Sequence, residues 1–170
     1  MSAVRDAPEV VIKNLIRDAW NPALYAADEQ FVPEIHHGWV DPDGTKYEIT
    51  VSNPDESPVR GGETGYSGID PTGAGPTQDI DGTVEVNCWA DRDREGTNFV
   101  SLNHRKAAFL MKWQVEEILR DHANGTDAQG DQTDFRFFAP MGSTRFIEQD
   151  EEPPVWRWLV LAGYGYQARP

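Results

Sequence analysis

Only one cysteine, Cys88, occurs in this chain of 170 residues. That excludes an internal disulfide and any cysteine-rich zinc site, and it fits a reducing compartment. Lysine is scarce too. Lys13, Lys46, Lys106 and Lys112 are the whole set, and 15 Lys and Arg face 29 Asp and Glu. At a formal net charge of −14 a general nucleic-acid-binding surface is not expected, because neutralising phosphates takes clustered Lys and Arg. No apolar run approaches the roughly 18 residues that a bilayer span requires. The opening Met1 to Asp6 lacks the apolar core of a secretory signal, so synthesis in the cytoplasm is expected.

Catalytic signatures are equally scarce. Gly65-Tyr66-Ser67-Gly68 lacks the final spacing of a nucleophile elbow, and the glycines match no phosphate-binding loop. Adjacent His36 and His37 would point to opposite faces of a strand, which makes a poor ligand pair. His104 and His122 lie too far apart on one helix to meet. The pairs Asp41/Asp43, Asp79/Asp81 and Asp91/Asp93 do not extend to a calcium-loop pattern, and the first two read as ordinary Asp-Gly turn chemistry. No catalytic residue, metal ligand or cofactor is therefore expected.

What is present is a domain's worth of large apolar side chains: six Trp, seven Phe and five Tyr. A single domain over residues 1–170 of this length buries roughly 70% of the surface of its unfolded chain. Asp6 is a candidate cap for a first helix, Pro8 to Trp20, with Val11, Ile12, Leu15, Ile16, Ala19 and Trp20 on one stripe. A strand around Phe31 to Val40, the turn Asp41-Pro42-Asp43-Gly44 and an alternating strand through Tyr47, Ile49 and Val51 predict a hairpin.

From Asn53 to Gly82 the pattern breaks. This stretch holds seven of the fifteen glycines and four of the twelve prolines, and it reads as a long arm closed by an Asp81-Gly82 turn. A third strand, Thr83 to Ala90, buries Val84, Val86, Cys88 and Ala90 and turns Trp89 the other way. A second helix spans Leu102 to His122, ended by Asn124-Gly125. Strands Phe135 to Ala139 and Val155 to Gln167 close the chain. Apolar residues on both sides of the last one predict a central strand or one that pairs with another subunit. The expected fold is α+β: a mostly antiparallel sheet of about five strands, two helices on one face, and a long Gly/Pro-rich arm.

Element order alone also allows a metal-dependent nuclease of the restriction-endonuclease type. Such enzymes need an acid near the second strand and an Asp or Glu two residues before a Lys on the third. Asp43 imitates the first part, but Glu85-Val86-Asn87 has no Lys in the required place.

The layout as a whole resembles the neck proteins of long-tailed viruses, above all the tail terminators. Carrying the resemblance are the first helix, the hairpin around Asp41-Pro42-Asp43-Gly44, the arm, the strand Thr83 to Ala90, the long helix and the two closing strands. The resemblance implies a structural virion protein without enzymatic activity. It implies a hexameric ring in the tail or neck that caps the tail tube and meets head-completion or adaptor proteins. A head-side adaptor or stopper ring is the alternative within the same neck. The carboxylate-rich, lysine-poor composition resembles that of proteins from extreme halophiles, which implies a virus of a halophilic archaeon.

Ring subunits need interfaces, and interface cores favour aromatics. Trp156, Trp158, Tyr164 and Tyr166 share one face of the last strand and are candidates for either an interface or the core. Gly61, Gly62, Tyr66 and Ile69 are the arm's candidates for partner binding. Arg92, Arg94, Arg105 and Lys106 could form a small basic patch against DNA in the channel or against an acidic neighbouring subunit.

Overall fold

The computed structural model describes residues 6–23, 31–41, 44, 46–58, 78–92, 103–146 and 155–168. Helix α1 runs Pro8–Asp18. Its N-cap is Ala7, not the predicted Asp6, and no side chain caps it; Pro8 starts the helix because it has no N–H to leave unsatisfied. Strands β1 (Glu34–His37), β2 (Tyr47–Pro58) and β3 (Gln78–Asp91) follow, then helix α2 (His104–Asp121) and strands β4 (Phe135–Phe146) and β5 (Val155–Ala168). The fold is α+β, with one five-stranded sheet in the order β1-β2-β3-β5-β4.

Three of the four strand pairings are antiparallel. The exception corrects the predicted hairpin, because β1 pairs with β2 in parallel, Glu34 opposite Glu48 and His37 opposite Val51. The predicted turn does exist, closed by the Gly44 amide donating to Asp41 O at 3.0 Å. It does not reverse the chain beside β1. Instead it folds over the start of β2, where Glu48 Oε2 accepts from the Asp41 amide at 3.2 Å. A Cβ on Gly44 would lie 1.5 Å from Glu48 Oε1, so only glycine permits that approach.

The predicted arm is shorter than its composition suggests. Residues 53–58 continue β2 and residues 78–82 begin β3, paired from Asp55 opposite Thr83 to Pro58 opposite Ile80. Prolines are tolerated there because β1 reaches only as far as Val51, which leaves this end of β2 with a neighbour on one side among the described residues. A register shift between Ser52 and Asp55 accommodates the change. Asp81-Gly82 is likewise not a turn but a paired part of β3. Gly82 is needed for a close approach: a Cβ would sit 2.5 Å from the Tyr164 ring and 2.7 Å from Asp55 O. Gly61, Gly62, Tyr66 and Ile69 lie outside the described residues.

Both helices cover one face of the sheet. Ile12 and Ile16 of α1, with Met111, Val115 and Leu119 of α2, pack on Ile49, Val51, Val84, Val86, Val160 and Ala162. Asn103 caps α2, its side chain accepting from the Arg105 amide at 2.9 Å. Gln114 of α2 donates to Asn21 O just past α1 at 3.1 Å, tying the two helices together. β5 is a central strand of this sheet, between β3 and β4, which accounts for its apolar residues on both sides.

Candidate functional site

The four aromatics expected at an interface are largely used up inside the chain. Trp156, Tyr164 and Tyr166 are buried in the core. Phe135 meets both tyrosines edge-on, with ring centroids 5.6 Å and 5.9 Å away. The tyrosines stack on each other and donate to one carboxylate, Tyr164 to Glu56 Oε1 at 2.9 Å and Tyr166 to Oε2 at 3.0 Å. Burial, helped by the bond to Glu56, pushes the Tyr164 hydroxyl well above its ordinary pKa. Within the subunit these three are core residues, packed on the side of the sheet that faces the helices. Trp158 differs: it is half-buried, edge-on to Phe109 of α2 at 5.9 Å.

Around Trp158 the surface is aromatic and basic. Phe109 and Trp113, one helical turn apart on α2, are 45% and 38% exposed. Lys112 lies over both the Phe109 ring (5.6 Å) and the Trp158 ring (5.4 Å) and pairs with Glu116 at 3.0 Å. Arg105 and Arg145 both approach Trp156, at 4.8 Å and 5.3 Å from the ring centre. Of the predicted basic patch, Arg105 and Lys106 therefore share the first turn of α2, with Lys112 and Arg145 as companions that were not anticipated. Arg92 is exposed just past β3, and Arg94 lies outside the described residues. Arg145 escaped prediction because β4 runs on past Ala139 to Phe146, and the alternation of Ser143 and Arg145 with Thr144 and Phe146 was the available signal.

A second surface occupies the helix-free face. Arg157 stacks on three rings, 3.7 Å from Phe146, 4.8 Å from Trp89 and 5.5 Å from Trp39. Trp89 is held by its indole N–H, which donates to Thr50 Oγ1 at 3.0 Å. Trp39 (57% exposed) and Met141 (61%) stand out toward solvent. Met141 belongs to the irregularity in β4 between Pro140 and Gly142, and the missing Cβ of Gly163 makes room for its side chain. Further along, Arg136 pairs with Asp79 at 3.0 Å and lies 3.8 Å from Asp81, so these two acids form an ion-pair site on β3.

A third feature is a cavity of about 420 Å³ between α1 and the loop after α2. Its rim carries Asp6, Asp18, Asp127 and Asp134, and Val11, Leu15, Phe135 and Phe138 are among its apolar walls. The loop is firmly built. Asp127 Oδ1 accepts from the amides of Gln129 and Asp131, both at 2.9 Å, and Thr133 Oγ1 donates to Gly125 O at 2.6 Å. Gly125 turns at φ +73, where a Cβ would strike the Phe135 carbonyl.

Among the described residues no group of three or more His, Cys, Asp or Glu is arranged to hold a metal ion. His36 and His37 part as expected, His36 toward Trp39 O at 3.2 Å and His37 toward Glu9 at 3.7 Å. Of the nuclease-like positions, Glu85 and Asn87 lie on the helix-free face of β3, and Asp43 is outside the described residues. Compared with known proteins, the chain matches no protein-family model and no curated sequence.

Proposed function

We propose that this chain is a structural subunit of a ring at the head–tail neck of a long-tailed virus, capping the tail tube and joining it to head-completion proteins. The observation that carries the reading is a pair of exposed aromatic surfaces on opposite sides of one sheet. One holds Phe109 and Trp113 of α2, the other Trp39, Phe146 and Met141. Exposed apolar groups gathered in patches mark contact sites, whereas scattered ones do not. A ring subunit stacked in a tail needs contact surfaces both toward its neighbours in the ring and toward the next component along the axis. The acidic composition suits assembly in concentrated salt, where self-repulsion is screened.

The test is light scattering coupled to size-exclusion chromatography in molar salt, with negative-stain images of the peak. A closed ring of about six subunits is the expected result under the symmetry rules of homo-oligomers. A compact dimer, or a monomer that fails to bind a tail tube end, would defeat the reading.

A further inference from the structure

The basic aromatic surface and the acidic cavity are separate places on the subunit, the first on the N-terminal and middle turns of α2 and the second beyond its C-terminal end. Phe109 and Trp113 belong to its middle turns, and the cavity loop follows its last residue, Asp121. Eight residues, about 12 Å of helix, separate Trp113 from Asp121, and no residue of the aromatic surface lines the cavity. Their chemistry is complementary. The first presents two exposed rings beside Arg105, Lys106 and Arg145, none of which forms an ion pair among the described residues. The second offers an apolar recess with room for a large ring, rimmed by Asp6, Asp18, Asp127 and Asp134. Asp18 is engaged by Arg17 at 2.8 Å and Asp127 by its own loop, which leaves Asp6 and Asp134 to meet an incoming cation. In a chain of net charge −14, a surface where cations outnumber their partners is the place where another copy can approach without repulsion.

We infer that this chain self-associates head to tail, with the Phe109–Trp113 surface of one copy docking on the acidic cavity of the next. The two patches differ, so the contact is heterologous and leaves a free patch at each end of any dimer. Such a contact closes into a ring or grows into a filament, according to its rotation. It supplies the neighbour contact of the ring proposed above and rests on that reading only for closure. The rings provide the buried anchor, and the charges set direction and register.

Three variants test it, each first checked by thermal melting. Trp113→Ala removes the anchor. Arg105→Glu with Lys106→Glu reverses one patch, and Asp6→Lys with Asp134→Lys reverses the other. Association is followed by light scattering across a concentration series, in molar salt for Trp113→Ala and in the lowest salt that keeps the wild type folded for the reversals. We expect the wild type to assemble, Trp113→Ala to raise the dissociation constant at least about tenfold, and each reversal to be monomeric alone. An equimolar mixture of the two reversals should reassemble, because the exchanged charges again match. A reversal that fails to fold is replaced by its single form, Lys106→Glu or Asp134→Lys. A wild type that stays monomeric overturns the inference, as does a mixture that stays monomeric. Variants that assemble like the wild type also overturn it while leaving a ring built through another contact intact. Open-ended oligomers lost in Trp113→Ala would uphold the inference and defeat the ring.

Discussion

The two faces of the sheet are written by alternate residues of the same strands, yet they reach burial by different means. On β3, Val84, Val86 and Cys88 point toward the helices, and Glu85, Asn87 and Trp89 point away. The first set is covered by α1 and α2 and closed off by aromatic contacts around Phe135 and Tyr164. The second set buries polar atoms: Thr50 finds the Trp89 indole, whereas Ser52 Oγ and Asn87 Nδ2 are buried without a hydrogen-bond partner among the described residues. Burying a polar group unpaired costs about 1–3 kcal/mol, and the helix layer carries such an atom too, Gln114 Oε1. The helix-covered face carries the fold. The helix-free face instead sets Arg157 among the rings of Trp39, Trp89 and Phe146.

The comparison predicts a graded response to mutation. The largest effect belongs to the covered face: Phe135→Ala should cost about 3–5 kcal/mol in urea unfolding, because it opens a cavity under two tyrosines. A cost below about 1 kcal/mol would mean that the face is not the stabilising one. Next comes the tyrosine pair. The folded state raises the Tyr164 pKa, while the unfolded chain titrates near about 10. Below that pH the contribution to stability is complete. Above it the unfolded chain releases a proton that the folded chain keeps, so stability should fall as pH rises from about 10. Tyr164→Phe should flatten part of that alkaline slope and cost about 1 kcal/mol near neutrality through the lost bond to Glu56. An unchanged slope would remove Tyr164 from the account. The smallest effect is expected on the helix-free face, where Trp39→Ala should change stability by less than about 1 kcal/mol, since the side chain is already more than half exposed. A larger loss would make that face part of the core.

The alternation of β3 and β5, the stripes of both helices and the count of strands were legible in the sequence because side-chain period is a local property. The parallel pairing of β1 was not. Asp41-Pro42-Asp43-Gly44 announces a turn, but where a chain goes after a turn depends on which edge is free to receive it. Pro54 and Pro58 read as strand breakers, and they are tolerated only because β1 stops short of them. For the site, Trp156, Tyr164 and Tyr166 were legible as one aromatic face, but nothing local tells whether helices of the same chain or a neighbouring subunit cover it. Arg145 and Arg157 were hidden for the complementary reason. Their importance comes from rings brought to them by β4, β5 and the segment before β2, across distances that no motif spans.

Cys88 is fully buried in β3, and burial pushes its thiol well above the ordinary range. Thiolate is the reactive form, so thiol reagents should pass over it while the sheet is intact. A cysteine introduced at an exposed position such as Met141 could therefore take a fluorophore or spin label in the otherwise natural chain. Cys88 itself would then serve as an internal clock, because the rate at which reagent reaches it measures how often the β2–β3–β5 layer opens.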